Sequence, residues 1–269
     1  MSKSKDSAKS TREKAAAARA EQQAAEKRRE RTVRIIGAIG VVVVVVLIIG
    51  LAVVVPRMSG GDGNGGTALP SPDPSLPVPS GVYGADAEIP YGAPYGTAPD
   101  TAPQLALWED FQCPACGSLE EINGEGIQSL AADGKVRLVY RPTAFLDKNL
   151  GGTSSAEAIA AWGCAIDQGK LIEYHNTVYA NQPAEGEGYT TEMLVGFAEQ
   201  SGISGVPLEQ FNDCLTEGRY LGWAVNSTQA FYDAGISGTP AGFLNGAQIE
   251  NTVLADQAAL EKAVSEAAG

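Results

Sequence analysis

Residues Gln104 to Gly117 read QLALWEDFQCPACG, and this stretch decides how the chain folds. Its first seven residues, through Asp110, form a short apolar run that predicts a strand. From Cys113 to about Ala132 the pattern predicts a helix, and Pro114 suits its first turn, where a missing N–H costs nothing. Cys113 therefore falls at or beside the N-cap. A thiolate there meets free backbone N–H groups and the positive end of the helix dipole, which lowers its pKa; a reactive thiol of this kind is expected to be exposed. Cys116, about one turn on, is expected to be more buried and able to attack a mixed disulfide formed on Cys113. Cys-Pro-Ala-Cys at a strand-to-helix junction is the pattern of a dithiol redox centre.

Two other readings compete for this pair. A structural zinc site needs four ligands, commonly from a second close pair. Here the other cysteines, Cys164 and Cys214, stand 50 positions apart and His175 is the only histidine. No metal site and no cofactor are therefore expected. A purely structural Cys113–Cys116 disulfide is the second alternative, open to any exported protein.

Outward from this core the chain alternates. Lys135 to Arg141 (KVRLVYR) predicts a second strand, and helical patterns follow over about 153–168, 170–181, 190–201, 207–216 and 220–234. Strand character returns at Ala241 to Leu244, followed by an Asn245-Gly246 turn of hairpin type, a short strand and a closing helix from about 254 to 267. This order predicts an α/β domain over 90–269 with an all-helical insertion at about 152–218.

The N-terminal side differs in composition. Residues 1–34 hold eleven Lys and Arg against five Asp and Glu, so this head carries +6 within a chain of −13, and the remainder carries −19. An acidic body of that size excludes nucleic acid as an expected partner. From Ile35 to Val55 run 21 uninterrupted apolar residues, enough at about 1.5 Å each to cross a hydrocarbon core of about 30 Å. A cleaved signal peptide is the alternative, but its apolar region is shorter and ends in a small-residue cleavage site. Lys27, Arg28, Arg29, Arg31 and Arg34 precede the run, so the expected topology is a single pass through the cell membrane, N-terminus cytoplasmic and C-terminal domain extracytoplasmic. Residues 56–89, Gly-rich and then Pro-rich, are expected to form a flexible linker. Outside the membrane Cys164 and Cys214 are expected to oxidise together as a staple, two separate buried thiols being the alternative.

Three segments, WEDFQCPACGSLE (108–120), AWGCAIDQGKLIEYHNTVYANQ (161–182) and GISGTPAGFLNG (235–246), occur in an order that resembles the DsbA-like thiol:disulfide oxidoreductases of the thioredoxin superfamily. The resemblance implies a thioredoxin fold with a helical insertion and dithiol chemistry. It also implies roles: Cys113 as nucleophile, Cys116 as resolving cysteine, Pro240 as the cis-proline, and Thr239 as the residue whose backbone pairs with substrate. Exported proteins with cysteines are the implied substrates, and a DsbB-like or VKOR-like membrane partner resets the enzyme. Oxidase is the expected direction; a reductase, or a non-catalytic peptide-binding module of the same fold, is the alternative. A thiol peroxidase would need an Arg near the nucleophile, and the sequence offers none there. Two departures from many relatives bear on the thiolate. Ala115 stands where they have His, and Leu107 where they carry an acid six positions before the first cysteine. Glu109, Asp110, Glu120 and Glu121 would oppose a thiolate if they lay close and ionised. The expected Cys113 pKa is therefore below that of a free thiol without being extreme. His175 is expected to be a structural or surface residue.

Overall fold

Alternation of side chains along one strand organises the domain. The computed structural model of the protein describes residues 68–269; the basic head, the apolar run at 35–55 and the first part of the linker lie outside the described residues. No helix among the described residues is long and apolar enough to cross a membrane. Five strands form one mixed sheet in the order β1-β3-β2-β4-β5, where β1 is Ala93–Tyr95, β2 Gln104–Glu109, β3 Arg137–Pro142, β4 Ala241–Leu244 and β5 Ala247–Ile249. Central β2 runs parallel to β3 and antiparallel to β4, pairing Leu105 with Leu138 and Trp108 with Ala241. Because successive side chains point to opposite faces, Leu105 and Leu107 enter the main core while Ala106 and Trp108 lie on the second face. Parallel β2 and β3 need a crossover, which the helix after Cys113 supplies.

That helix has three parts: α1 (Pro114–Leu119), a π-helical turn (Glu120–Gly124) and α2 (Glu125–Ala132). The wide turn places Asn123 inside, donating to the Leu254 carbonyl at 2.7 Å, and leaves Ile122 66% exposed. After β3 come α3 (Asp147–Leu150), α4 (Ser154–Asp167), α5 (Leu171–Ala180), α6 (Thr191–Gln200), α7 (Val206–Thr216) and α8 (Leu221–Asp233). Nearly every residue of α4 is buried, Trp162 and Cys164 included, so it forms the axis of the helical block. A disulfide joins Cys164 of α4 to Cys214 of α7, with 5.8 Å between their Cα atoms. Short α9 (Asn251–Leu254) and α10 (Gln257–Ala268) close the chain on the core. Between β4 and β5, Asn245 and Gly246 have φ of 49° and 79°, the left-handed pair that a tight two-residue hairpin demands.

The flexible linker expected as far as residue 89 is corrected in its second half. Residues 69–89 lie against the domain. Asp73 and Asn226 of α8 exchange two hydrogen bonds, at 2.8 and 2.7 Å, and Ser80 N–H donates to Asp167. Leu76 packs onto Gly222, Pro79 onto Gly163, and Val82 and Ile89 are buried. Apolar residues placed among the prolines give this stretch something to bury, and proline has little conformational freedom to lose.

Candidate functional site

Cys113 sits at the N-cap of α1 in extended conformation, with Pro114 as the first helical residue. Its carbonyl accepts from the N–H groups of Cys116 and Gly117, both at 3.1 Å, which starts the helix, and its own N–H donates to Asp110. The loop before it is braced on all sides. Gln182 donates to the carbonyls of Phe111 and Cys113 at 2.8 and 3.0 Å, and the Tyr189 hydroxyl donates to Phe111. Asp110 accepts from Gln112 N–H, Leu146 N–H and the Ser155 hydroxyl; Asp147 accepts from Gln112 Nε2 and from the N–H groups of Ser155 and Ala156. The start of the helical insertion is thereby fixed to the turn that carries the cysteine. None of Gln182, Tyr189, Asp147 and Ser155 was legible as a site residue, since nothing local marks a polar side chain that will meet a loop 35 to 78 positions away.

Thr239 and Pro240 approach from the opposite side. Their peptide bond is cis, and the Cys113 thiol donates to the Thr239 carbonyl at 3.4 Å. Both cysteines are free thiols, while Pro114 and Ala115 between them are exposed. The exposed Cys113 expected from the sequence is not found: the side chain is 7% exposed, covered by the loop of Thr239, and Cys116 is fully buried.

The two thiols titrate in opposite directions. Cys113 is lowered from 9.0 to about 6, first by a hydrogen bond from the Cys116 thiol. Burial opposes this, and the Thr239 hydroxyl and the N–H groups of Cys116 and Ala115 add to the lowering. The helix start thus contributes through particular N–H groups, with a larger share coming from the neighbouring thiol. Cys116 is raised well above 9.0, chiefly by burial and further by its bond to Cys113 and the nearby Glu109 carboxyl.

Beneath Cys116 lies a buried polar cluster. Glu109 ends β2 on its core-facing side, Glu120 opens the π turn, and His175 comes from α5. His175 Nε2 and Glu109 Oε2 are 3.0 Å apart, while Glu109 Oε1 and Glu120 Oε1 are each buried without a hydrogen-bond partner. Burial raises Glu109 well above the usual carboxylate range and Glu120 to about 8, and it lowers His175. Asp110 is likewise raised by burial, to about 7. Near neutrality Glu120 is therefore mostly protonated and Asp110 about half so, and burial favours the neutral form of Glu109 as well. The opposition to a Cys113 thiolate that the sequence suggested is thereby weakened. A carboxyl of raised pKa beside a buried thiol can receive and return its proton. Ligand atoms of Glu109, Glu120 and His175 also lie within 4.8 Å of one another, and these are the residues that could hold a metal ion.

Comparison with known proteins places this geometry. A family model described as thioredoxin matches residues 92–265. Solved structures with the same fold include MdbA, a thiol-disulfide oxidoreductase from Actinomyces oris, at 22% identity and a TM-score of 0.58, covering 70% of this chain and 92% of that one. BdbD from Bacillus subtilis matches at 18% identity and 0.56, covering 71% and 98%. DsbA from Mycobacterium tuberculosis matches at 24% and 0.53, covering 76% and 93%. Among curated proteins, a Na(+)/H(+) antiporter NhaA 3 of Salinispora tropica is 30% identical over 154 residues, 55% of this chain. The match spans only 21% of that longer protein, to which the antiport in its name belongs. With the family model spanning most of the domain and the fold shared with enzymes of the DsbA type, the chain belongs to the thioredoxin family.

Proposed function

We propose that the chain is a membrane-anchored, extracytoplasmic thiol-disulfide oxidoreductase that passes a Cys113–Cys116 disulfide to cysteines of exported proteins. The observation that carries the reading is a pair of free thiols at a helix start, Cys113 at the N-cap and in contact with the Thr239 carbonyl, Cys116 buried behind it, with Cys113 lowered to about 6 and Cys116 raised. A dithiol whose outer sulfur is stabilised as thiolate makes its disulfide the more oxidising, which favours the oxidase direction. In the oxidised enzyme a substrate thiolate attacks Cys113 Sγ, forming a mixed disulfide and breaking the Cys113–Cys116 bond. Cys116 leaves with the electron pair and takes a proton, for which Glu109 is the nearby donor. A second substrate thiolate then attacks the substrate sulfur of the mixed disulfide and expels Cys113 as thiolate. The substrate gains a disulfide, and two electrons remain on the enzyme as the dithiol.

Thr239 serves this exchange from the facing loop. Its carbonyl accepts from Cys113 in the dithiol and is released when that thiol loses its proton or becomes a disulfide, free for the backbone of an extended substrate. The Cys164–Cys214 disulfide fits an oxidising compartment. Single-pass anchoring through 35–55, the outward-facing domain and resetting by a DsbB-like or VKOR-like partner belong to the same proposal. The test is oxidation of a reduced, unfolded protein by the stoichiometric disulfide form. Transfer that Cys113→Ala abolishes is the expected result, whereas undiminished transfer by Cys113→Ala, or none by the wild type, overturns the assignment.

A further inference from the structure

We propose that the second face of the sheet carries an anion-recognition subsite, built by Arg137 and Arg141, for an acidic side chain of the substrate polypeptide. The inference rests on the oxidoreductase reading and extends it to substrate choice. Four of the seven Lys and Arg residues in 68–269, Lys135, Lys170, Arg219 and Lys262, pair with carboxylates. Arg137 and Arg141 have no carboxylate partner among the described residues, in a strongly acidic body, and both line one cavity of about 380 Å³. Its walls include Trp108, Ile236 and Phe243, and Glu88 stands at its rim without an ion pair to either arginine.

The two guanidinium groups are held yet largely unengaged. Arg137 Nε donates to the Ala102 carbonyl at 3.2 Å, and Arg141 Nη2 to the Pro90 carbonyl at 3.1 Å. Each group has five N–H donors, so fastening the segment before β2 to the sheet uses one apiece. The Arg141 Nε is buried with no partner, and its guanidinium lies over the Trp108 ring at 3.8 Å, which fixes its plane. Burial without a neighbouring carboxylate lowers Arg141 to about 10. An incoming carboxylate would offset the cost of that desolvation by pairing with the charge and could be gripped by the planar fork.

Position connects the cavity to the chemistry. A second cavity of about 530 Å³ is lined by Thr239 and Pro240 and shares Ala234, Ile236 and Phe243 with the first. The two cavities adjoin at these residues and form a depression from the loop of Thr239 and Pro240, which contacts Cys113, to the arginines; neither cysteine lines it. Phe243 lies four residues beyond Thr239, about 13 Å at about 3.3 Å per residue. An extended substrate crossing the depression would bring a side chain about three to five residues from its cysteine to Arg137 and Arg141.

The experiment measures kcat/KM of the oxidised protein toward single-cysteine peptides bearing Glu or Gln two to five residues to either side, with a small uncharged monothiol as reference. For at least one placement the Glu peptide is expected to react about tenfold faster than its Gln twin, the scale of one charge-assisted hydrogen bond. Arg137→Gln and Arg141→Gln are expected to shrink that ratio toward one and leave the monothiol rate unchanged. If Arg141→Gln fails to fold, Arg137→Gln alone decides. Equal Glu and Gln rates at every placement, with a normal monothiol rate, overturn the subsite and leave the oxidoreductase reading standing. No reaction with any thiol overturns the reading itself. A Glu preference that survives both variants places recognition elsewhere and also overturns the subsite.

Discussion

Lowering the pH should disarm this protein as an oxidant, by an amount that follows from Cys113. Its thiol ionises at about 6 in the folded dithiol, against an ordinary 9.0. A depressed pKa stabilises the dithiol form fully above 9.0, and that stabilisation is lost as the pH falls through 6. The disulfide form has no such proton to lose, so the redox equilibrium inherits the dependence. Reduction by glutathione, whose own thiol stays largely protonated below pH 8, then releases one extra proton above pH 6. Between pH 5 and pH 7.5 the equilibrium constant for reducing the Cys113–Cys116 disulfide should rise about 30-fold, close to 2 kcal/mol. Asp110 and Glu120, at about 7 and about 8, titrate in the same region but are present in both redox forms, so their contribution cancels to first order. The assay equilibrates the protein at fixed glutathione ratios and counts reduced molecules by thiol alkylation at each pH. A constant that changes less than about twofold over that range would refute the lowered pKa, since a thiol titrating near 9.0 predicts almost no change.

Other changes separate the contributions. Cys116→Ala removes the largest single support of the thiolate, so the ultraviolet titration of Cys113 should move up from about 6 yet stay below 9.0, held by Thr239 and the backbone N–H groups; an unmoved titration would remove Cys116 from the account. Glu109→Gln leaves Cys116 without its proton donor and should lower kcat about tenfold or more at neutral pH with the peptide KM little changed. An equal loss in both constants would indicate general damage to the fold instead. Cys164→Ser with Cys214→Ser opens a loop of 50 positions and should reduce unfolding stability by about 2 to 4 kcal/mol with disulfide transfer retained; an unchanged urea midpoint would deny the staple any role.

Much of this architecture is local and therefore legible in the sequence. The Cys-Pro-Ala-Cys motif announces its own helix start through Pro114, the Asn245-Gly246 pair announces its hairpin, and each helix of the insertion has its own periodicity. What could not be read depends on encounters between distant positions. Glu109, Glu120 and His175 meet only because β2, the π turn and α5 converge, and the sequence gives three ordinary polar residues. It also could not reveal that burial favours the protonated form of those carboxyls, which weakens their expected effect on Cys113. The buried state of Cys113 depends on a loop 126 positions away. The packing of residues 69–89 did leave a signal, in Leu76, Val78, Val82 and Ile89 spaced among prolines and glycines, but Pro-rich composition reads first as a spacer.

The π turn at Glu120–Gly124 makes the length of this helix part of its chemistry. An α-helix advances about 100° per residue, and the wide turn resets that phase between α1, which aims Cys116 inward, and α2, which aims Ile127 and Leu130 at the core. Deleting one residue between 120 and 124 would restore regular winding with the two halves still in phase, since a π turn holds one extra residue, whereas deleting one from α2 ahead of Ile127 would rotate one half against the other by about 100°. Either the Ile127–Leu130 face would leave the core, or Cys116 and Glu120 would swing away from Glu109 and His175. The site should thus tolerate many substitutions on the exposed side of this helix, including at Ile122, while a single deletion outside the wide turn changes which side chains meet.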